Sequence, residues 1–174
     1  MVRQCLTMRS ILIAMNTPYF RAGTGSVIYR ATGEVLIFRR HSEDIWQFQQ
    51  GGLDEGETYE QGLWRELLEE TALSPDNFLN TQPYSNWTLY KYPEHFSLPD
   101  RYNNCLGQAH KWWFLELDPK TIINLENAVD KEFDEFKWIA FADFINMTEH
   151  SFKMPVYEEL YQYFSSQILT TLAK

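Results

Sequence analysis

Three glutamates, Glu66, Glu69 and Glu70, stand at the spacing i, i+3, i+4. On a helix that spacing puts them on one face. Like charges so placed destabilise a helix by about 0.2–0.5 kcal/mol per pair. They also lie toward the end of the segment 59–71, where the helix macrodipole disfavours anions. Helix formation alone therefore gives no reason for the arrangement. A hard divalent cation such as Mg²⁺ supplies one, because it takes oxygen ligands and fills the rest of its octahedron with water or phosphate oxygens. A solvated acidic face is the competing explanation. Arg65, four residues before Glu69, would orient and partly neutralise the cluster. Glu57 precedes the helix, favours its N-terminus, and is a candidate to reach the same metal face.

The charge distribution fits a split site. The 174 residues carry 15 Lys and Arg against 24 Asp and Glu, a net charge of −9. Residues 1–40 hold six arginines and one acid, whereas 54–70 hold seven acids and only Arg65. The acids would hold a cation and the arginines an anion; scattered surface charge is the alternative. A chain this acidic is a poor match for long nucleic acid gripped through its phosphates. A short end, a nucleotide or a metal-bound phosphate remains compatible. Cys5 and Cys105 are too few for a disulfide framework, and reduced thiols suit a cytoplasmic setting. There is no run of 18 apolar residues, so a membrane-spanning helix is not expected.

These residues need a framework, and the length suits one domain with one core. Hydrophobic residues at 44% and charged residues at 22% exclude a wholly disordered chain. Residues 1–14 read as a disordered N-terminal extension and 15–174 as a single domain. The runs 24–29 and 34–39, separated by Ala31-Thr32-Gly33, predict a hairpin. An extended stretch, 46–50, leads into Gly51-Gly52. A helix is predicted over 59–71, with Leu63, Leu67 and Leu68 as its apolar side and Thr58 as a candidate N-cap. Gly62 inside it points to close packing. Further strands are predicted at 86–92 and 111–117, joined by the polar and aromatic loop 93–107, whose length is characteristic of functional loops. A strand at 135–141, a short helix at 143–147 and a last helix at 155–169 complete the chain. Pro155 suits the first turn of that helix, and Val156, Leu160, Tyr163, Phe164 and Ile168 form its buried stripe. The pattern is an α/β or α+β sandwich.

The segment from Gly51 to Leu73 resembles the signature of the Nudix hydrolases, G-x5-E-x7-R-E-U-x-E-E-x-G-U, where U is bulky and apolar. Gly51, Glu57, Arg65, Glu66, Leu67, Glu69, Glu70 and Leu73 stand in register, and only the late glycine is replaced, by Ala72. Trp46-Gln47-Phe48-Gln49-Gln50-Gly51-Gly52 resembles the W-Q-F-P-Q-G-G of bacterial RNA pyrophosphohydrolases and plant-type diadenosine tetraphosphate hydrolases, with Gln49 in place of proline. Phe20-Arg21, ahead of Gly25, is similar to the family's Y-R-x-x-V-G entry. Gly107-Gln108-Ala109-His110-Lys111-Trp112 resembles G-Q-x-Q-K-W, and Glu132-Phe133-Asp134 with Trp138 resembles E-F-x-x-W. Phe152-Lys153-Met154-Pro155-Val156-Tyr157 resembles F-K-x-P-V-Y.

The resemblance spans about residues 19–164. It implies an α/β Nudix fold, a mixed β-sheet sandwiched between α-helices. The implied reaction is hydrolysis of a nucleoside diphosphate linked to another group, with Mg²⁺ as cofactor and Mn²⁺ as its alternative. Glu66, Glu69 and Glu70 would ligate the metal. Glu132 would enter from a separate loop as a further ligand or general base, and Arg65 completes the catalytic set. Arg21, Arg40 and Lys111 would face the phosphates, with Gly51, Gly52 and Glu57 completing the substrate-binding set.

The histidines at 41, 95, 110 and 150 show no metal-ligand spacing. Trp46, Phe48, Trp112 and Trp113 are candidates either for the core or for stacking on a base. In a strand Trp112 and Trp113 point to opposite faces, so at most one faces the site. Tyr90, Tyr92, Phe96 and Tyr102 are weaker stacking candidates. Three functions follow from the resemblance. An RNA 5′-pyrophosphohydrolase fits W-Q-F-x-Q-G-G and the N-terminal arginines. A diadenosine tetraphosphate hydrolase fits the negative net charge. A non-catalytic nucleotide-sensing domain fits least, because the glutamates are retained. The expected partner is a nucleotide or a 5′-phosphorylated RNA end, with neither a membrane nor extended nucleic acid.

Overall fold

The computed structural model describes residues 17–41, 43–102, 104–148 and 151–172. Two long strands, β1 (Tyr19–Tyr29) and β7 (Cys105–Leu117), run parallel from the pair Tyr19↔Cys105 to Tyr29↔Glu116. Around them lie β2 (Glu34–Arg40), β3 (Trp46–Gln47), β4 (Gln50–Gly52), β5 (Phe78–Pro83), β6 (Thr88–Lys91) and β8 (Phe133–Ala140). The order is β3-β2-β1-β7-β5, with β4 on β1, β6 on β7 and β8 on β2. The pairs other than β1–β7 are antiparallel, so the sheet is mixed.

Alternation along the strands gives the sheet two apolar faces. Ile28, Leu36, Phe38, Leu115 and Leu117 pack against Leu63 and Leu67 of helix α1 (Tyr59–Thr71). Val27, Tyr29, Val35, Ile37 and Phe114 pack on the other side. Their partners there are Phe144 of α2 (Phe141–Met147) and Val156, Tyr157 and Leu160 of α3 (Met154–Tyr163). Burying each such side chain stabilises the fold by about 1.5–3 kcal/mol. The sheet is thus sandwiched between helices, as the sequence predicts. Among the described residues no helix is long and apolar enough to cross a membrane.

Helix α1 has the bounds its sequence pattern predicts. Thr58 Oγ1 accepts from the Gln61 N–H at 3.2 Å, and Gln61 Oε1 accepts from the Thr58 N–H at 2.9 Å. This reciprocal box satisfies two donors that the helix itself cannot. The helix ends at Ala72, whose φ of 59° is left-handed. Gly62 is buried, and a Cβ there would overlap Leu53 of the loop leading out of β4.

Several expectations are corrected. β5 is not predicted at all: its residues show no alternation, and it exists as an antiparallel neighbour of β7. β1 starts at Tyr19 and β7 at Cys105, so the loop expected over 93–107 loses its last residues to the sheet. The extended stretch 46–50 is broken at Phe48-Gln49. The last helix changes to a π-helical turn over Phe164–Ile168 before ending at Leu172. Neither adjacent tryptophan faces the site. Trp112 is buried on the α3 side, its Nε1 donating to Thr88 Oγ1 at 2.8 Å, and Trp113 packs on the α1 side. The expected extension 1–14 lies outside the described residues.

Candidate active site

Strand β1 lies between β7 and β4, with Gly23 opposite Gly52 and Thr24 opposite Gly51. The glycine pair is required by close approach. A Cβ at Gly51 would overlap the Glu66 carboxylate, and one at Gly52 would overlap the Arg21 guanidinium. The pair therefore brings a helix carboxylate and a strand arginine to the rim of one cavity of about 540 Å³. Glu66, Glu70, Asp130 and Glu132 line it together with Arg21, Arg40 and Lys153.

The three glutamates of α1 have different surroundings. Glu70 is 3% exposed, and its Oε2 accepts from Gln49 Nε2 at 3.1 Å. Burial, reinforced by the charges of Glu132 and Glu66, pushes its carboxyl well above the usual range. Burial also raises Glu66, whose Oε1 accepts from Arg65 Nη1 at 2.9 Å. Glu69 instead turns to Arg65, with Nη1 to Oε2 at 3.0 Å, and does not line the cavity. Its backbone carbonyl accepts from the Asp130 N–H at 2.8 Å. That bond ties the approach to β8 onto the end of α1 and delivers Glu132, whose Oε1 lies 3.3 Å from Arg40 Nη1.

Arg65 and Glu57 act together, away from the cavity. Arg65 Nε and Nη2 donate to the two Glu57 oxygens, each at 2.8 Å, and Nη2 also donates to the Gly52 carbonyl at 2.9 Å. The Arg65 guanidinium holds the Glu57 carboxyl below its ordinary value. Glu57 also accepts from the Asp54 N–H at 2.9 Å. Neither Glu57 nor Arg65 lines the cavity: the two clamp the turn between β4 and α1, while Arg65 Nη1 also holds Glu66 and Glu69. Lys111 does not line the cavity either. Strand alternation places it on the α1 side, where Nζ donates to the Ser85 carbonyl at 2.8 Å and lies 5.2 Å from the Trp87 ring centroid.

A further cation in the lining is Lys153, a residue of the Phe152–Tyr157 motif to which the sequence alone assigns no role. Its Nζ donates to Gln47 Oε1 at 2.8 Å. Burial, with Arg40 adding to it, lowers its pKa to about 8. Arg40, Gln47, Phe96, Phe152 and Lys153 also border a second cavity of about 660 Å³. Phe96 stacks on Tyr92 with centroids 4.8 Å apart and planes 4° apart, and meets Phe152 edge-on. The loop after β6 thus supplies part of the wall between the cavities. Tyr102 in the same loop lies 5.0 Å from the Arg21 guanidinium carbon. Asp130 lines the cavity without any sequence signal that singles it out.

Among the described residues no three His, Cys, Asp or Glu side chains are gathered tightly enough to enclose a metal as they stand. Glu66, Glu70 and Glu132 share the wall of an open cavity instead. Their chemistry fits a hard divalent cation: the donors are all carboxylate oxygens, one is almost fully buried, and room remains for water or phosphate.

A family model described as NUDIX domain matches residues 19–160. The chain belongs to the NUDIX family. This Nudix chain is 39% identical over 153 residues to the RNA pyrophosphohydrolase of Baumannia cicadellinicola, covering 86% of this chain and 94% of the relative. It is 34% identical over 152 residues to the RNA pyrophosphohydrolase of a Shewanella species, covering 87% of each. A Caenorhabditis elegans Ap4A hydrolase shares the Nudix fold with a TM-score of 0.61 at 18% identity, covering 84% of this chain and 98% of the other.

Proposed function

We propose that this protein is a Mg²⁺-dependent RNA 5′-pyrophosphohydrolase that hydrolyses a phosphoanhydride bond at a triphosphorylated end and releases pyrophosphate or phosphate. The observation that carries the reading is the cavity that gathers Glu66, Glu70 and Glu132 with Arg21, Arg40 and Lys153. A polyphosphate brings negative charge to those carboxylates, which a bridging cation makes tolerable. The relatives named RNA pyrophosphohydrolase, matched over most of their length, support the same reading.

Glu66, Glu70 and Glu132 would hold the cation, with Glu69, held by Arg65 Nη1, as a further carboxylate of the same helix. When bound, Mg²⁺ or Mn²⁺ polarises phosphoryl oxygens and lowers the pKa of the attacking water. A carboxylate of the set takes that water's proton. Arg21 and Arg40 offer paired N–H donors to phosphate oxygens, and Lys153 adds a point charge. Backbone at Gly51 and Gly52 lets the phosphates approach where a side chain would block them.

The second reading is a dinucleoside polyphosphate hydrolase releasing ATP and AMP from diadenosine tetraphosphate. The second cavity favours it, because about 660 Å³ beside the site suits another nucleoside. In a Mg²⁺ assay offering both substrates, preferential release of pyrophosphate or phosphate from RNA supports the first reading. Preferential formation of ATP and AMP moves the assignment to the second. Glu70→Gln is expected to lower kcat by about 10²-fold or more on the better substrate, as loss of a metal or acid–base carboxylate does. No product from either substrate overturns the enzyme reading.

A further inference from the structure

In the stretch Trp46 to Gly52, Gln49 stands where the related motif has proline. The structure buries Gln49 completely, at 0% exposure. Its amide joins two other buried groups: Ser26 Oγ donates to Gln49 Oε1 at 3.0 Å, and Gln49 Nε2 donates to Glu70 Oε2 at 3.1 Å. Ser26 is 1% exposed, and its N–H donates to the Gln49 carbonyl at 3.0 Å, so backbone and side chain are both registered on β1.

The direction of each bond is fixed by chemistry. Gln49 Nε2 is the atom turned to Glu70 Oε2, and once a bound cation holds Glu70 ionised the carboxylate only accepts, so the NH₂ must stay on that side. The amide carbonyl then faces Ser26, whose hydroxyl has to donate. Reversing the amide would set two acceptors against each other in a dry interior, at the cost of an unmade buried hydrogen bond. Proline could supply none of this, having no side-chain donor.

We propose that Gln49 is a positioning residue for Glu70: its amide holds Oε2, fixes the carboxylate that would help hold the divalent cation, and is itself oriented by Ser26. The proposal rests on the reading of Glu70 as a metal ligand. Groups that orient metal-binding side chains in this way are worth about 10–100-fold in metal affinity or activity.

The test is Mn²⁺ titration of the full chain followed by electron paramagnetic resonance, with thermal melts of the metal-free proteins alongside. Gln49→Met keeps the length and removes the donor, and is expected to weaken Mn²⁺ binding about tenfold or more. Ser26→Ala weakens it by a smaller factor, and adds nothing in the Gln49→Met background because the hydroxyl acts only through the amide. An unchanged Mn²⁺ Kd in Gln49→Met, with only the melting temperature moved, overturns the proposal. Additive losses in the double variant overturn the Ser26–Gln49–Glu70 relay. Should Gln49→Met fail to fold, Ser26→Ala carries the test, and an unchanged Kd there overturns the proposal. Glu70→Gln separates the two levels: wild-type Mn²⁺ binding in that variant overturns the ligand reading itself. Loss in Glu70→Gln with no loss in Gln49→Met overturns positioning alone.

Discussion

Lys153 sits between the two cavities with its Nζ on Gln47 Oε1, and its pKa of about 8 sets two opposed pH dependences. A free-enzyme cation that meets a polyphosphate supports kcat/KM only while it holds its proton. The expected pH–rate profile therefore falls as pH rises through about 8, and Lys153→Arg, which keeps its charge, flattens that limb. Stability runs the other way. Because the folded pKa lies below the ordinary 10.5, the unfolded chain binds more protons between about 8 and 10.5. Stability accordingly rises with pH across that window and is lost again as pH falls through about 8. At this scale the sequence reads the chemistry better than the directions. The spacing of Glu66, Glu69 and Glu70 names a common face, yet consecutive residues stand about 100° apart on a helix. The cavity takes Glu66 and Glu70, and Arg65 takes Glu69. Lys111 stands outside the cavity for the corresponding reason in a strand, where one residue's step reverses the face.

Among the elements, α1 is legible because two signals agree: its apolar period and Thr58 as N-cap. Its end is the exception. Ala72 occupies the left-handed position, φ 59°, where the related signature has glycine. An L-residue there costs about 1–2 kcal/mol, of which glycine's greater chain entropy would return roughly half. Ala72→Gly is expected to stabilise the protein by about 0.5–1 kcal/mol, read as a rise in denaturation midpoint at unchanged slope. Its kcat is expected to stay at the wild-type value, since Ala72 touches neither cavity. β5 is illegible for the opposite reason. As a strand with exposed Leu79 and no alternation, it is specified by β7, not by its own residues. The early start of β1 is hidden likewise, because Arg21, Ala22 and Gly23 follow the needs of the site and not β propensity.

For the molecule as a whole, the two-faced sheet is readable from alternating apolar residues, while the buried polar interior is not. His110 is 0% exposed, and neither ring nitrogen has a hydrogen-bond partner among the described residues. Burial holds its pKa at about 3, with Lys153 and Arg21 opposing a further positive charge. The unfolded chain takes up a proton near the ordinary 6.5, and the folded one does not. His110 therefore leaves stability intact above 6.5 and withdraws it as pH falls toward about 3. The full span corresponds to a few kcal/mol, about 1.4 per pH unit. His110→Gln, the residue of the related motif, is expected to lessen the stability lost between pH 7 and pH 4 in urea melts. Arg65 has a consequence of another kind. One guanidinium holds the Gly52 carbonyl, Glu57 and two helix glutamates at once. The turn after β4 then has no way of opening that leaves the helix undisturbed. In hydrogen–deuterium exchange, the amides of Leu53 and Glu57 should exchange together with those of the first half of α1, as one opening unit. Arg65→Lys, with a single ammonium in place of the fork, should break that unit in two, the turn exchanging early while the helix remains protected.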